Sequence, residues 1–225
     1  MKTLAVIPAR GGSTRLKDKN IYPLKGKPLI RWMVEAVVET KLFEKVLVST
    51  DSDEIFDATM GLGVKRHYRP DEHATTKATV LDAMLNVMEC HGWVREKYDA
   101  FAYFLPTCPF ISSDDIKKGF EILRYGKCDS VVSMTEIPET IQLACLMSQD
   151  SDVLPVFDNI ECGLTNSKFI KKYYKPSGAF YMGSWEYLLR NRNFFKGVTK
   201  GVIIPPERSV DINTIQDIKY AESLA

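Results

Sequence analysis

The stretch that decides the fold is Thr3-Leu4-Ala5-Val6-Ile7-Pro8, followed directly by the polar loop Ala9-Arg10-Gly11-Gly12-Ser13-Thr14-Arg15. A short, continuous apolar run that ends in a glycine-bearing loop is typical of a strand buried on both faces of a parallel sheet. Ligands of such sheets bind beyond the carboxyl ends of the strands. The stretch therefore predicts a parallel sheet and also the position of a binding loop.

Strand and helix patterns alternate from this first strand to residue 125. Apolar spacing predicts helices over 28–40, 53–62, 79–91 and 113–124, and strands over 45–50, 64–68 and 100–105. This alternation indicates an α/β fold with a doubly wound, mostly parallel, Rossmann-like sheet and right-handed crossovers.

The pattern changes after Asp129, where strands over 130–135, 143–147 and 153–157 follow one another with little helix between them. A strand over 178–182, a last strand over 198–204 and a helix over 214–224 complete the chain. We expect one domain over residues 1–225, with a small antiparallel excursion near 138–176.

Charge and composition exclude several classes of partner. The 225 residues include 30 Lys and Arg against 29 Asp and Glu, a net charge of +1, which gives no overall attraction to nucleic acid or to anionic lipid. No apolar run approaches the roughly 20 residues of a membrane span. The five cysteines are odd in number and scattered, as expected of reduced thiols in a cytoplasmic protein.

The loop after the first strand has the composition of a phosphate-binding loop. Paired glycines let backbone N–H groups approach a phosphate, and Arg10, Arg15, Lys17 and Lys19 supply positive charge. The loop matches neither the Walker A pattern nor GxGxxG. Taken alone, it could also be an ordinary glycine turn flanked by solvated lysines.

A second candidate site is Ser209-Val210-Asp211-Ile212-Asn213-Thr214, between the last strand and the last helix. Alternation in an extended segment puts Asp211 and Asn213 on the same side. Two oxygen ligands, completed by phosphates and water, would suit Mg²⁺. The alternative is a helix start that is capped by Asn213 or Thr214.

Six segments in this order resemble the CMP-sialic acid synthetase family, the acylneuraminate cytidylyltransferases. The segments are IPARGGSTRLKDKNI, LVSTDSDEI, YRPDEHATTKATVLDAM, FLPTCPF, KPSGAFYM and SVDINTIQD. The resemblance covers nearly the whole chain. The TCPF and TEIPETIQLA stretches resemble the bacterial branch that activates pseudaminic or legionaminic acid.

This resemblance implies a homodimeric nucleotidyltransferase that uses CTP, Mg²⁺ and a nonulosonic, sialic-acid-like sugar to make a CMP-sugar and pyrophosphate. The implied catalytic residues are Arg10, Lys19 and Asp211, and the implied metal ligands are Asp211 and Asn213. The positions implied to bind the nucleotide are Ala9, Arg10, Gly11, Gly12, Ser13, Arg15, Lys19, Asn20, Arg69 and Thr79. Those implied to bind the sugar are Thr107, Gln142, Lys168, Ser177, Tyr181, Phe194 and Phe195, with the phenylalanines reaching the site from a partner subunit.

The chain departs from the family pattern at four places. Asn213 stands where many members have a second aspartate, and Leu105 where many have a glutamine. Ser177 replaces an asparagine, and Lys168 stands near an arginine position, so these two bear on which sugar is used. Two alternatives therefore stay open: a catalytically silent nucleotide-binding protein of the same fold, and a DxD-type glycosyltransferase, whose acidic site usually lies near mid-chain.

Overall fold

A seven-stranded sheet forms the centre of the computed structural model, which describes residues 1–73, 79–92, 94–137, 141–163, 166 and 171–225. The strands are β1 (Thr3–Pro8), β2 (Pro23–Leu24), β3 (Lys27–Pro28), β4 (Lys45–Thr50), β5 (Lys65–Tyr68), β6 (Ala100–Phe104), β7 (Ser130–Glu136), β8 (Cys145–Met147), β9 (Val153–Pro155), β10 (Tyr174–Ser184) and β11 (Thr199–Ile203). The central sheet has the order β11-β7-β10-β6-β1-β4-β5. Its neighbours are parallel except β10, which is antiparallel to both β6 and β7. The predicted α/β class is confirmed.

The order of the strands puts a crevice at the carboxyl ends of β1 and β6. The chain leaves β1 for β4 and β5 on one side and then crosses to β6 on the other side of β1. The loops after β1 and β6 consequently diverge at this point, which is where ligands bind in doubly wound sheets.

Helices cover both faces of the sheet. They are α1 (Leu29–Glu39), α2 (Asp53–Asp57), α3 (Val80–Cys90), α4 (Val94–Lys97), α5 (Ser113–Tyr125), α6 (Trp185–Asn191) and α7 (Ile215–Leu224). Strand β1 shows the layering: Ala5 and Ile7 pack in the same apolar cluster as α1 and α5, while Leu4 and Val6 pack with α3 and α6. Complete burial of β1 therefore explains its unbroken apolar sequence.

Several boundaries differ from the sequence-based predictions. The helix predicted over 53–62 ends at Asp57, because the chain then turns towards Gly61 and Gly63, both with positive φ. Helix α6 was not predicted; its N-terminus is capped by Ser184, whose side chain accepts a hydrogen bond from the Tyr187 N–H. The antiparallel excursion takes the form of the β8–β9 hairpin. Within the described residues, no helix has the length and apolar character of a membrane span.

Candidate active site

A cavity of about 250 Å³ lies in the crevice between the loops after β1 and β6. It is lined by Pro8, Arg10, Ser13, Lys19, Asn20, Arg69, Thr79, Tyr103, Leu105, Pro106, Thr107, Asp211 and Asn213. Nine of these were predicted as site residues, and the outermost two, Arg10 and Asn213, are 203 residues apart in sequence. A larger cavity, of about 620 Å³, lies beside Trp32 and Phe110 and contains none of the predicted site residues that the structure describes. The smaller cavity is therefore the candidate active site.

The loop after β1 is fixed by hydrogen bonds on both sides of Arg10. The Ala9 N–H donates to the Ser49 carbonyl at 2.9 Å, and the Asn20 side-chain amide donates to the Arg10 carbonyl at 2.9 Å. The Gly11 N–H donates to a carboxylate oxygen of Asp51 at 2.8 Å. These contacts hold the Arg10 backbone at the cavity. The Gly11 N–H was predicted to bind the nucleotide, but in this structure it donates to Asp51.

The segment before α7 presents Asp211 and Asn213 to the same cavity. Val210 and Ile212 are buried in an apolar cluster with Leu24, and the Ile212 N–H donates to the Thr107 carbonyl at 2.9 Å. The residues between and after them consequently project towards the cavity, as the alternation predicts. Thr214 caps α7 in a capping box with Asp217, so the predicted cap at this helix start is present as well.

The Asn213 side chain forms hydrogen bonds with two cationic side chains and one carboxylate at the cavity wall. Its amide oxygen accepts from Arg15 Nη2 at 2.7 Å and from Lys19 Nζ at 3.0 Å, while its amide nitrogen donates to Asp211 Oδ2 at 2.8 Å. The other Asp211 oxygen accepts from the Thr107 hydroxyl at 2.5 Å. Burial lowers the pKa of Lys19 below its ordinary value, with Asp211 opposing this and Arg15 and Arg10 adding to it.

The donor set at this wall fits a divalent cation at Asp211 and not at Asn213. Asp211 is an exposed carboxylate, the type of ligand that Mg²⁺ prefers. The amide oxygen of Asn213 already faces two cations, so metal ligation by Asn213 requires that Lys19 and Arg15 move away. Among the described residues, no cluster of three His, Cys, Asp or Glu side chains has the arrangement of a metal site.

Two buried polar atoms of cavity residues have no hydrogen-bond partner among the described residues: Arg69 Nε and Asn20 Oδ1. Leaving a buried polar atom unpaired costs about 1–3 kcal/mol, so such atoms are candidates to bind a ligand. Burial also raises the pKa of the Cys108 thiol, with Asp211 adding to the shift, so this neighbouring cysteine stays protonated.

Tyr103 lines the cavity and Asp51 binds the loop after β1, and the sequence analysis identified neither residue. Tyr103 is only 3% exposed and lines the cavity, and burial raises its pKa, so its hydroxyl stays a hydrogen-bond donor. It lies in a run of apolar residues, which made it resemble core. Asp51 directly follows β4, and a polar residue at the carboxyl end of a parallel strand is a signal that could have found it.

The residues predicted to bind the sugar lie at different distances from the cavity. Thr107 lines it, and Tyr181 contacts the ring of Tyr103, with centroids 6.3 Å apart. Phe194 packs on Tyr181 of its own chain at 5.0 Å, whereas Phe195 is 51% exposed.

Two other predicted sugar residues, Gln142 and Ser177, have partners elsewhere. The Gln142 side chain donates to the Lys171 carbonyl at 2.8 Å, and the Ser177 hydroxyl accepts from the Ala179 N–H at 3.4 Å. Lys168 lies outside the described residues. The sugar-binding roles of these residues stay predictions.

A cavity with three cationic side chains and one carboxylate, at the switch point of a mostly parallel sheet, defines a nucleotide-binding α/β protein. Residues 4–159 match the family model described as cytidylyltransferase. The chain belongs to this cytidylyltransferase family.

Curated relatives agree with this membership. The chain is 30% identical to a pseudaminic acid cytidylyltransferase of Campylobacter jejuni, with 100% of this chain and 96% of the relative aligned. It is 31% identical to a CMP-N,N'-diacetyllegionaminic acid synthase of Legionella pneumophila, with the same two coverages. It is also 31% identical to an N-acylneuraminate cytidylyltransferase of Escherichia coli, over 98% of this chain and 51% of the relative.

Solved structures share the fold. A CMP:2-keto-3-deoxy-manno-octonic acid synthetase complexed with CTP superposes with a TM-score of 0.71 at 18% identity, covering 100% of this chain and 98% of the other. A 4-diphosphocytidyl-2C-methyl-D-erythritol synthase from Anaerococcus prevotii gives a TM-score of 0.68 at 15% identity, covering 99% and 97%. At these identities the likeness concerns the fold.

Proposed function

We propose that this chain transfers CMP from CTP to the anomeric hydroxyl of a nonulosonic acid and releases pyrophosphate. The observation that carries the proposal is the cation-lined cavity at the switch point, in a chain whose full-length relatives are named for CMP-nonulosonic acid synthesis. The same relatives favour a sugar of the pseudaminic or legionaminic type. They also disfavour a DxD-type glycosyltransferase.

In this reaction the sugar hydroxyl oxygen attacks the α-phosphorus, and the bond from that phosphorus to the bridging oxygen of the leaving pyrophosphate breaks. The hydroxyl proton is released to solvent. Arg10 and Lys19 supply positive charge where the leaving group gains negative charge, which is the dominant contribution in phosphoryl transfer. Arg69 and Asn20 each have a buried polar atom at the cavity that lacks a hydrogen-bond partner among the described residues, and both are suited to hydrogen-bond the nucleoside part. Tyr181 and Thr107 lie on the side of Asp211 and suit the sugar.

We further propose that Mg²⁺ binds beside Asp211, together with nucleotide phosphates and water. A bound divalent ion would offset phosphate charge and polarise a phosphoryl oxygen. Thr107 and Asn213 hold the two carboxylate oxygens of Asp211, so its orientation is defined without the ion.

The test is pyrophosphate release by the purified chain with CTP, Mg²⁺ and one sugar at a time. The sugars are pseudaminic, legionaminic, N-acetylneuraminic and 3-deoxy-octulosonic acid, and ATP, GTP and UTP replace CTP as controls. Release with CTP and one nonulosonic acid is expected, and loss of that release in Asp211→Ala. CTP binding without pyrophosphate release for every sugar would instead favour a silent nucleotide-binding protein.

We also propose that the chain forms a homodimer through the β8–β9 hairpin, within the excursion of the single domain. Leu146 is 64% and Met147 65% exposed, and Val153, Leu154 and Val156 are exposed as well. A two-stranded hairpin is only marginally stable alone, so these apolar side chains need a cover. Light scattering should give a dimer for the wild-type chain and a monomer for Leu146→Asp; a wild-type monomer at micromolar concentration would contradict the proposal.

We also propose a cytoplasmic location. The five cysteines are free thiols, which agrees with a reducing compartment. Detection of the chain outside the cytoplasm by cell fractionation would contradict this.

A further inference from the structure

We propose that Asn213 is a positioning residue for the cations of the nucleotide site, and that its amide acts as a connector between Lys19, Arg15 and Asp211. The inference rests on the proposed function, because it concerns how the same cavity binds a triphosphate. It assigns to Asn213 a role other than metal ligation.

The first argument is the hydrogen-bond geometry. The amide oxygen accepts from two cations, at 2.7 Å from Arg15 and 3.0 Å from Lys19, and the amide nitrogen donates to Asp211 at 2.8 Å. A reversed amide would put its NH₂ group against both cations and its oxygen against the carboxylate. Only the observed orientation satisfies all three neighbours. The amide is therefore oriented by the charges around it.

The second argument is that the backbone of Asn213 is held independently of its side chain. The Asn213 N–H donates to Asp217 Oδ2 at 2.9 Å, and the same oxygen accepts from the Thr214 N–H at 2.7 Å. Although burial opposes it, these hydrogen bonds keep the pKa of Asp217 below its ordinary value. A change of the Asn213 side chain thus leaves its backbone anchored at the start of α7.

The third argument concerns charge. A neutral amide holds Lys19 and Arg15 in place without neutralising them, so both stay available to a polyanion. An aspartate at the same position would form ion pairs with both cations and would lie next to the carboxylate of Asp211. Those ion pairs compete with a triphosphate, because the carboxylate and the phosphate oxygens would bind the same two cationic groups. With Asn213 in place, the protein is therefore expected to bind a nucleotide triphosphate even when no divalent ion is present.

The test is equilibrium binding of CTP, and of inorganic tripolyphosphate, by calorimetry in EDTA without sugar. Asn213→Leu keeps the volume but removes the connector, and Asn213→Ser is a second variant in case the first is unstable. Both are expected to weaken metal-free binding about tenfold, the scale of one lost charge-assisted contact. Asn213→Asp is expected to weaken it as well, and to bind Mg²⁺ more tightly than the wild type. Gln216→Leu removes an exposed amide of α7 that is outside the cavity lining, and it is the matched control that should leave binding unchanged.

A double-mutant cycle identifies the route of the effect. If Asn213 acts through Lys19, then Asn213→Leu has a smaller effect in a Lys19→Met background than in the wild type, because contacting residues are not additive. Unchanged metal-free affinity in all three Asn213 variants, or additive effects with Lys19→Met, would overturn the inference. If the wild-type chain binds CTP with Mg²⁺ but not in EDTA, the inference is also overturned. Absence of CTP binding in both conditions would instead count against the proposed function.

Discussion

Replacing Lys19 by methionine removes one charge from the candidate site and keeps most of the side-chain volume. Lys19 is partly buried and lines the cavity beside Arg10 and Asn213. At an effective dielectric constant of about 20, two unit charges 4 Å apart interact by about 4 kcal/mol. The cost of burying the ammonium group and the attraction of Asp211 reduce the part available to the leaving pyrophosphate. We expect a loss of about 2.7 kcal/mol, or about 100-fold in kcat.

The assay is continuous pyrophosphate release with CTP varied at saturating sugar, which separates kcat from KM. Lys19→Arg, which keeps the charge, should recover part of the loss. Lys118→Met removes an exposed cation of α5 outside the cavity lining and should behave as the wild type. A loss in kcat that exceeds the rise in KM for CTP indicates that Lys19 interacts more strongly with the transition state than with bound CTP. An unchanged kcat in Lys19→Met would refute the assigned role, provided that circular dichroism shows the variant to be folded.

Three further changes test other parts of the account. Tyr103→Phe should weaken CTP binding about fivefold, the scale of one hydrogen bond, and equal affinity in calorimetry would contradict a contact through the hydroxyl. Gly178→Ala should destabilise the fold by about 1–2 kcal/mol in denaturant unfolding, because Gly178 has φ +86° and a Cβ there would lie 3.3 Å from Leu105 Cδ1. Equal stability would argue against strain at Gly178. Arg208→Met removes a partly buried partner of Asp115 and should cost about 1–2 kcal/mol at neutral pH. Burial raises the pKa of Asp115, but hydrogen bonds from Arg208 and Ser112 outweigh this effect and hold the pKa below its ordinary value. The stability difference between the wild type and Arg208→Met should therefore shrink as the pH falls below that ordinary value. A difference that does not depend on pH would contradict this.

Strand β1 and the loop after it were predictable from sequence because local composition and position both carry their signal. Complete burial of β1 requires an apolar run. A glycine-bearing cationic loop at the carboxyl end of a parallel strand is typical of a phosphate-binding loop. The pairing of Asp211 with Asn213 was predictable for the same reason, since alternation with buried Val210 and Ile212 determines which side chains project.

The contacts that join the segments could not be predicted in this way. Tyr103 is surrounded in sequence by buried residues, and only the meeting of β6 with the loop after β1 turns its hydroxyl towards a cavity. The engagement of the Gly11 amide by Asp51 depends on the pairing of β1 with β4, 40 residues away. The connector role proposed for Asn213 requires the two ends of the chain to meet, a distance of 194 residues from Lys19.

The central claim is that the cavity between the loops after β1 and β6 binds the triphosphate of CTP. The most direct measurement is a crystal structure with an α,β-methylene analogue of CTP, which cannot be cleaved at the reacting bond. The account predicts phosphate oxygens within hydrogen-bond distance of Arg10 and Lys19, with the nucleoside towards Arg69. An analogue bound elsewhere, for example in the larger cavity beside Trp32, or phosphates turned away from Lys19, would contradict it.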